Sequence, residues 1–434
     1  MALGGGTFTV QNKILPGAYI NFVSLASATA TLSDRGYAAM GVISDWGESG
    51  KVFEVTNGDF QKHSQKIFGY DYTSDKLKGL RDLFLNITTL YCYRLNGNGE
   101  KASNTFATAK YPGTRGNDIK IVIQTNVDDS ESFDVITMLD STVIDTQTVK
   151  TANELIANDF VDFKTGATLE ATAGVPLSGG TNSDVDGAAH QTFLDKIEKY
   201  SFNALGCVST EDTIKGLYVN FCKRLRDEMG KKFQVVVHNK AADYEGVVNV
   251  KNTVTGGNTE ADLVYWVTGV IAGTAVNKSA LNKRYDGEFT VDVEYTQSEL
   301  EKAITAGEFT LHQVGDDVRV LMDVNSFVSI SDTKGAVFQD NQTIRVIDQI
   351  GNDIAVLFNT KYLGVVPNDK AGRISFWADV VKHHEQLQDI RAIENFSDKD
   401  VVVEQGDTKK AVVVADAVTV VNAMAKLYMT VTIA

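Results

Sequence analysis

Apolar positions along this chain change their spacing several times, and the changes mark out its parts. Residues 1–25 alternate. Thr7-Phe8-Thr9-Val10 is followed by the Pro16-Gly17 break and by Tyr19-Ile20-Asn21-Phe22-Val23, which predicts arm strands well ahead of the first helix. Such strands need a sheet to join, and it need not belong to their own subunit. Residues 26–96 read as the first part of an α/β core. A strand is expected at 37–43, then a helix capped by Ser74 with its stripe on Leu77, Leu80, Leu83, Phe84 and Ile87, then an apolar strand at 89–95. Residues 97–182 hold short alternating runs, clearest at Ile119, Ile121 and Ile123. Turn clusters such as Asn96-Gly97-Asn98-Gly99 and Pro112-Gly113 separate them, and one short helix is expected near 153–157. This is the pattern of a β-sandwich inserted into the α/β body.

Helix and strand spacing alternates again over 183–330, the second part of the core. A capping-box spacing, Ser209 with Asp212, precedes a stripe on Ile214, Leu217, Tyr218, Phe221, Cys222, Leu225 and Met229 that Gly230 closes. A strand is expected at 233–237, a helix at 262–275, a second capping box at Thr296 with Glu299, and strands at 309–314 and 318–324. Residues 331–434 predict helices at 342–358 and 371–393, the second with Ile374, Trp377, Val381, His384 and Leu387 on its apolar face. A β-branched tail follows (401–403, 411–414, 427–433).

Composition narrows the function classes. The chain has 434 residues, with 41 Lys plus Arg against 56 Asp plus Glu and a net charge of −15, which disfavours a nucleic-acid-binding body. With 43% hydrophobic and 22% charged residues it is globular. Cys92, Cys207 and Cys222 are too few and too scattered for a disulfide framework or a zinc ribbon. The start, Met1 to Gly6, lacks the basic and apolar regions of a secretory signal, and no apolar run has spanning length, so membrane insertion is not expected.

The chemical motifs each lack a required residue. Gly50-Lys51 is preceded by Asp45 where a phosphate loop needs glycine, and followed by Val52 where it needs Ser or Thr. Gly97-x-Gly99 leads to no helix. Asn182-x-Asp184-x-Asp186-Gly187 has Phe193 at the twelfth position of a calcium loop, so it reads as a polar loop capping the next helix. His384-Glu385-Gln386-Leu387-Gln388 has Gln in place of the second histidine of a zinc peptidase, and Gly47-Glu48-Ser49-Gly50-Lys51 is not a serine elbow. No catalytic residue, metal ligand or cofactor is assigned. Strand-prone ends on a chain without a catalytic site point to assembly.

Four marks in order resemble the contractile tail sheath proteins of myophages and phage-derived bacteriocins. They are Pro16-Gly17-Ala18-Tyr19-Ile20-Asn21-Phe22, Tyr111-Pro112-Gly113-Thr114-Arg115-Gly116-Asn117-Asp118 running into Ile119, Leu177-Ser178-Gly179-Gly180-Thr181-Asn182, and Tyr428-Met429-Thr430-Val431-Thr432-Ile433. The resemblance implies an α/β core formed by the N- and C-terminal parts, with the β insertion outside and a C-terminal domain facing a tail tube. It implies a structural subunit, not an enzyme. The subunit would be assembled in the bacterial cytoplasm into stacked, hexameric rings, and released as part of a virion or phage-tail-like particle. Its partners would be further copies of itself, the tube, the baseplate and the tail terminator.

On that reading the inter-subunit arm strands carry Phe8, Val10, Tyr19, Ile20 and Phe22 at one end and Tyr428, Met429, Val431 and Ile433 at the other. Gly4-Gly5-Gly6 and Gly406-Asp407 are the flexible points beside them. The polar face of the 371–393 helix (Arg373, Lys382, His383, Glu385, Asp389 and Arg391) is expected to meet the tube. Two rival readings are a surface hydrolase or glycan-binding protein with its site on the β domain, and a non-contractile tube or shell protein.

Overall fold

The computed structural model describes residues 31–433. The expected N-terminal arm, with Phe8, Val10, Tyr19, Ile20 and Phe22, lies outside them. Of the described residues, one compact unit is built on 34–351 with 420–433 and the other on 352–419 together with 31–33.

The larger unit is organised by a seven-stranded sheet. Its order is Glu308–Phe309, Val247–Val250, Gln234–His238, Ala204–Cys207, Tyr37–Val42, Thr89–Arg94 and Phe53–Thr56. All neighbours are parallel except the last pair. Parallel strands must be covered on both faces, so they read as continuous apolar runs such as Gln-Val-Val-Val-His. Successive side chains alternate between the faces. Met40, Val236, Val248 and Cys92 join the helices Lys78–Phe84 and Leu263–Gly273 in one apolar cluster. Ala39, Leu205, Val235 and Val237 join Gly187–Ile197 and Asp212–Lys223 in another. The helices Lys78–Phe84 and Leu263–Gly273 cross closely because Gly269 and Gly273 face backbone. A Cβ at Gly273 would stand 1.6 Å from the carbonyl oxygen of Asn86.

The chain leaves this sheet after Arg94 and returns before Gly187–Ile197. Between them, an antiparallel sheet in the order Thr142–Val149, Phe133–Leu139, Ile119–Thr125, Thr172–Pro176 and a two-stranded sheet of Ala107–Ala109 with Val161–Phe163 enclose a separate apolar core. The short helix expected near 153–157 is a single 3-10 turn, Ala152–Glu154.

Three local expectations change. The helix Asn57–Phe68 follows Phe53–Thr56 where no element was expected, because only Phe60, Ser64 and Phe68 of its residues are buried and the stripe is too thin to read. The capping box at Ser209 does not form: Ser209 Oγ accepts from Glu211 N (3.1 Å), and the helix starts at Asp212 with Glu211 as an uncapped N-terminal residue. The capping box at Thr296 with Glu299 does form, on Gln297–Thr305.

The three cysteines are free and buried, and burial pushes the Cys207 and Cys222 thiols up to about 12. Asp186 caps Gly187–Ile197 by accepting from Ala189 N (2.9 Å).

Asp82 is buried at the end of Lys78–Phe84, where it accepts from Tyr285 Oη (2.6 Å) and Glu288 N (2.8 Å). Burial raises its carboxyl to about 6 against the pull of these two donors. The folded chain therefore holds this proton up to a higher pH than the unfolded chain, and the group's contribution to stability falls as pH rises from about 4 to about 6. Asp82→Asn removes that dependence. Thermal melts at pH 4.5 and 7 are expected to show the variant gaining on the wild type as pH rises, by about 2 kcal/mol.

Candidate functional site

Two of the sequence marks meet in space where the insertion joins the core. Arg94, the last residue of its strand, is buried. Its Nε donates to Ser44 O (2.9 Å), its Nη1 to Pro112 O (2.6 Å) and Gly47 O (3.3 Å), and its Nη2 to Asn182 Oδ1 (3.0 Å). Asn182 in turn donates through Nδ2 to Asp45 Oδ1 (2.9 Å), and Asp45 also accepts from Tyr70 Oη (2.6 Å) and Thr114 Oγ1 (3.2 Å). Burial brings the guanidinium down to about 10, with Asp45 opposing. Burial alone would raise Asp45, yet its hydrogen-bond donors and Lys76 hold it below the usual carboxylate range. Gly113 sits at φ +133°, and a Cβ there would lie 2.1 Å from Asp45 O, so the Pro112-Gly113 mark serves a close backbone approach.

The smaller unit is built on the helix Lys370–Asp389 and the hairpin Val401–Gln405 with Val412–Asp416. Its apolar core gathers Leu357, Tyr362, Phe376, Val380, Val381 and Val401. Of the expected apolar face, Val381, His384 and Leu387 are buried and Trp377 is half-buried, but Ile374 is exposed, and the buried arc widens to take in Phe376, Val380 and His383. His383 is thereby corrected. It is not on an outward polar face: its Nε2 lies 3.0 Å from Asp353 Oδ2, and Ser33 Oγ donates to the other oxygen of that carboxylate (2.6 Å). His384 Nδ1 donates to Val380 O (2.9 Å), and its Nε2 lies 2.9 Å from Asp416 Oδ2. Arg391 is corrected too, because the helix ends at Asp389 and Arg391 occupies a turn at φ +62°. Arg373 is half-buried and donates to Asn368 O (3.2 Å) and Asn368 Oδ1 (3.0 Å). Lys382, Glu385 and Asp389 are exposed at i, i+3 and i+7, on one side of the helix. A cavity of about 100 Å³ opens beside Val412, lined by Phe358, Tyr362, Phe376, Arg373 and Lys410 among others.

The C-terminal segment is rooted at 421–423. There the buried Gln342 donates to Val421 O (3.0 Å) and accepts from Ala423 N (2.9 Å). The helix it starts, Asn341–Leu357, has a buried polar beginning that sequence reasoning missed. Asn341 donates to Val324 O (2.9 Å), and Asp348 accepts both Arg226 Nη1 (2.6 Å) and Nη2 (2.8 Å). The signal present in the sequence was Asn341, Arg345 and Asp348 at i, i+4 and i+7. Among the described residues beyond Ala423 there is no regular secondary structure. Leu427, Met429, Val431 and Ile433 are 85, 74, 68 and 90% exposed, and Tyr428 87%. Their period of two is that of a strand with one covered face, yet no described residue covers it. Among the described residues, no three His, Cys, Asp or Glu side chains are grouped to hold a metal ion, and no helix is long and apolar enough to cross a membrane.

Family models match three consecutive stretches: the phage tail sheath protein beta-sandwich domain at 96–183, its central domain at 183–326 and its C-terminal domain at 333–434. The phage-like element PBSX protein XkdK of Bacillus subtilis is 34% identical over 99% of both chains. The tail sheath protein of Clostridium phage phiCD119 is 26% identical over 45% of this chain and 56% of its own. Among solved structures, the sheath tail protein of Desulfitobacterium hafniense superposes with a TM-score of 0.80 at 38% identity, covering 90% of this chain and 93% of the other. The contracted helical sheath of the anti-feeding prophage shares the fold, with a TM-score of 0.57 at 12% identity, over 96% of this chain and 98% of the other.

The buried and exposed apolar groups separate by their cost on removal. Phe376→Ala is expected to destabilise the smaller unit by about 3–5 kcal/mol. Leu427→Ser and Met429→Ser are expected to leave the unfolding midpoint of the unassembled chain unchanged to within about 0.5 kcal/mol. Chemical denaturation of the three variants measures both.

Proposed function

The chain belongs to the phage tail sheath family, and on that premise we propose that it polymerises in stacked, hexameric rings around a tail tube and that contraction of the sheath drives the tube through a cell envelope. Its partners on this reading are its own copies, the tube, the baseplate and the tail terminator, and assembly takes place in the bacterial cytoplasm. The protein acts as a structural subunit, and the work comes from contacts between bodies that exist only in the contracted lattice, without nucleotide hydrolysis.

The observation that carries this reading is the uncovered alternating segment Leu427, Met429, Val431 and Ile433. An amphipathic strand without a sheet of its own is completed by main-chain pairing with another chain. The hairpin Val401–Gln405 with Val412–Asp416 is a two-stranded sheet among the described residues, and it supplies edges of the kind such a strand needs. The cavity beside Val412 leaves room for apolar side chains of an added strand. The N-terminal residues Phe8, Val10, Tyr19, Ile20 and Phe22 are proposed to be donated in the same way. Arms that stay paired while each body turns make contraction a rigid-body motion.

For the tube-facing surface we retain Lys382, Glu385 and Asp389, with Arg391 just past the helix end. A charged, polar contact of this kind is weakened by salt and can be released when the sheath moves outward.

Removing residues 424–434 is expected to leave a folded, monomeric protein that no longer forms cylinders, checked by circular dichroism and negative-stain microscopy. Cylinders formed by the truncated chain would exclude C-terminal strand donation. Lys382→Glu with Arg391→Glu is expected to leave self-assembly intact and to lower co-sedimentation with tube, more strongly at low salt. Equal loading at 50 and 300 mM salt would remove this surface from the tube contact.

A further inference from the structure

We propose that the Arg94 network welds the inserted β domain to the α/β core, so that the two move as one rigid body and no hinge operates at 95–101 or 177–183. The sequence points the other way, since both crossings are rich in glycine (Asn96-Gly97-Asn98-Gly99 and Gly179-Gly180) and read as flexible. Their packing decides the matter. A Cβ at Gly97 would meet the Ser49 side chain at 2.7 Å, one at Gly99 would meet Thr181 O at 1.8 Å, and one at Gly180 would meet Gly113 O at 2.4 Å. These glycines are small so that three backbones can touch, and touching backbones do not swing.

The two crossings are also bonded to each other. Ser103 N donates to Ser178 O (2.8 Å), Ser178 N to Ser103 O (3.1 Å), Thr181 N to Glu100 O (3.1 Å) and Ser183 N to Asn96 O (3.2 Å). Arg94 closes the arrangement by binding Ser44 and Gly47 of the loop after Tyr37–Val42, Asn96 Oδ1 of the outgoing crossing (3.3 Å), Pro112 of the insertion and Asn182 of the returning crossing at once. Its acceptors are neutral carbonyl oxygens, and it is buried. A truncated side chain would therefore leave several buried carbonyls without a donor, each costing more than the bond itself contributes.

An apolar contact and an arginine brace repeat the connection elsewhere. Trp46 belongs to the core's loop, yet it is buried in the insertion's apolar cluster, stacked on Phe160 (5.6 Å between centroids) and edge-on to Tyr111 (5.4 Å). Arg115 of the insertion donates to Gly69 O of the core (2.8 Å) and lies over the Tyr70 ring (4.7 Å). This inference stands on the junction alone. If the contraction reading holds, the insertion is carried through the full rotation of the body to which it is fixed.

Hydrogen exchange followed by mass spectrometry on the full-length chain tests the weld. In the wild type, peptides covering 95–101 and 177–183 are expected to exchange as slowly as the strands they connect. Arg94→Met is expected to speed exchange there and at 112–116 by tenfold or more, with 37–42, 234–238, 119–125 and 133–139 unchanged. Arg94→Lys, which keeps the charge and loses the fork, is expected to be no better than Arg94→Met. Asn182→Ala, a milder change, serves should Arg94→Met unfold the chain, and is expected to raise exchange at the same segments. Rapid exchange of the wild-type crossings, or no change at them in Asn182→Ala, overturns the proposal.

Discussion

A guanidinium taken out of water must place its N–H groups on acceptors, and that requirement organises this molecule around Arg94. The side chain leaves the end of a central strand and is answered by Ser44, Gly47, Pro112 and Asn182. The loop after Tyr37–Val42 and both crossings of the insertion can keep their paths only together. A parallel sheet with helices on both faces is complete without an inserted β domain. Attaching one at a fixed angle takes a group that ties separate strands of chain at one point, and an arginine fork does this with geometric specificity that a lysine lacks.

The smaller unit shows the opposite economy. Its apolar core is modest, while the hairpin Val401–Gln405 with Val412–Asp416 exposes Val402, Val413 and Val414, and a cavity remains beside Val412. A lone two-stranded sheet is marginal in water and gains when a further strand joins it. The C-terminal segment has the complementary defect, an apolar face at Leu427, Met429, Val431 and Ile433 that no described residue covers. For a chain of the phage tail sheath family these two deficits need not be faults of folding. On the proposed reading each would be met by a second copy, and incompleteness in the monomer would be the drive to polymerise.

The histidine pair shows how neighbouring residues acquire unrelated roles. Adjacent positions on a helix point about 100° apart, yet His383 and His384 are both buried because the helix is covered over a broad arc by Asp353 on one side and the hairpin with Asp416 on the other. The exposed charge that remains, Lys382, Glu385 and Asp389, occupies a narrow outward strip.

Much of the fold was legible along the chain, since runs such as Gln-Val-Val-Val-His and stripes such as Leu77, Leu80, Leu83 and Phe84 are imposed by burial that repeats with the period of the element. The capping box at Thr296 was legible because a side chain three residues away satisfies it locally. The absence of a complete phosphate, zinc or nucleophile motif was equally a matter of sequence. What the tertiary structure alone decided is which polar groups go inside. The burial of Arg94, His383, Asn341, Arg345 and Asp348 depends on hydrogen-bond partners far along the chain, and no local period encodes a partner at that distance. The sense of the glycines at 97, 99 and 180 was decided there too: local sequence allows them to be either hinges or contacts, and only the atoms lying 1.8 to 2.7 Å from each absent Cβ make them contacts.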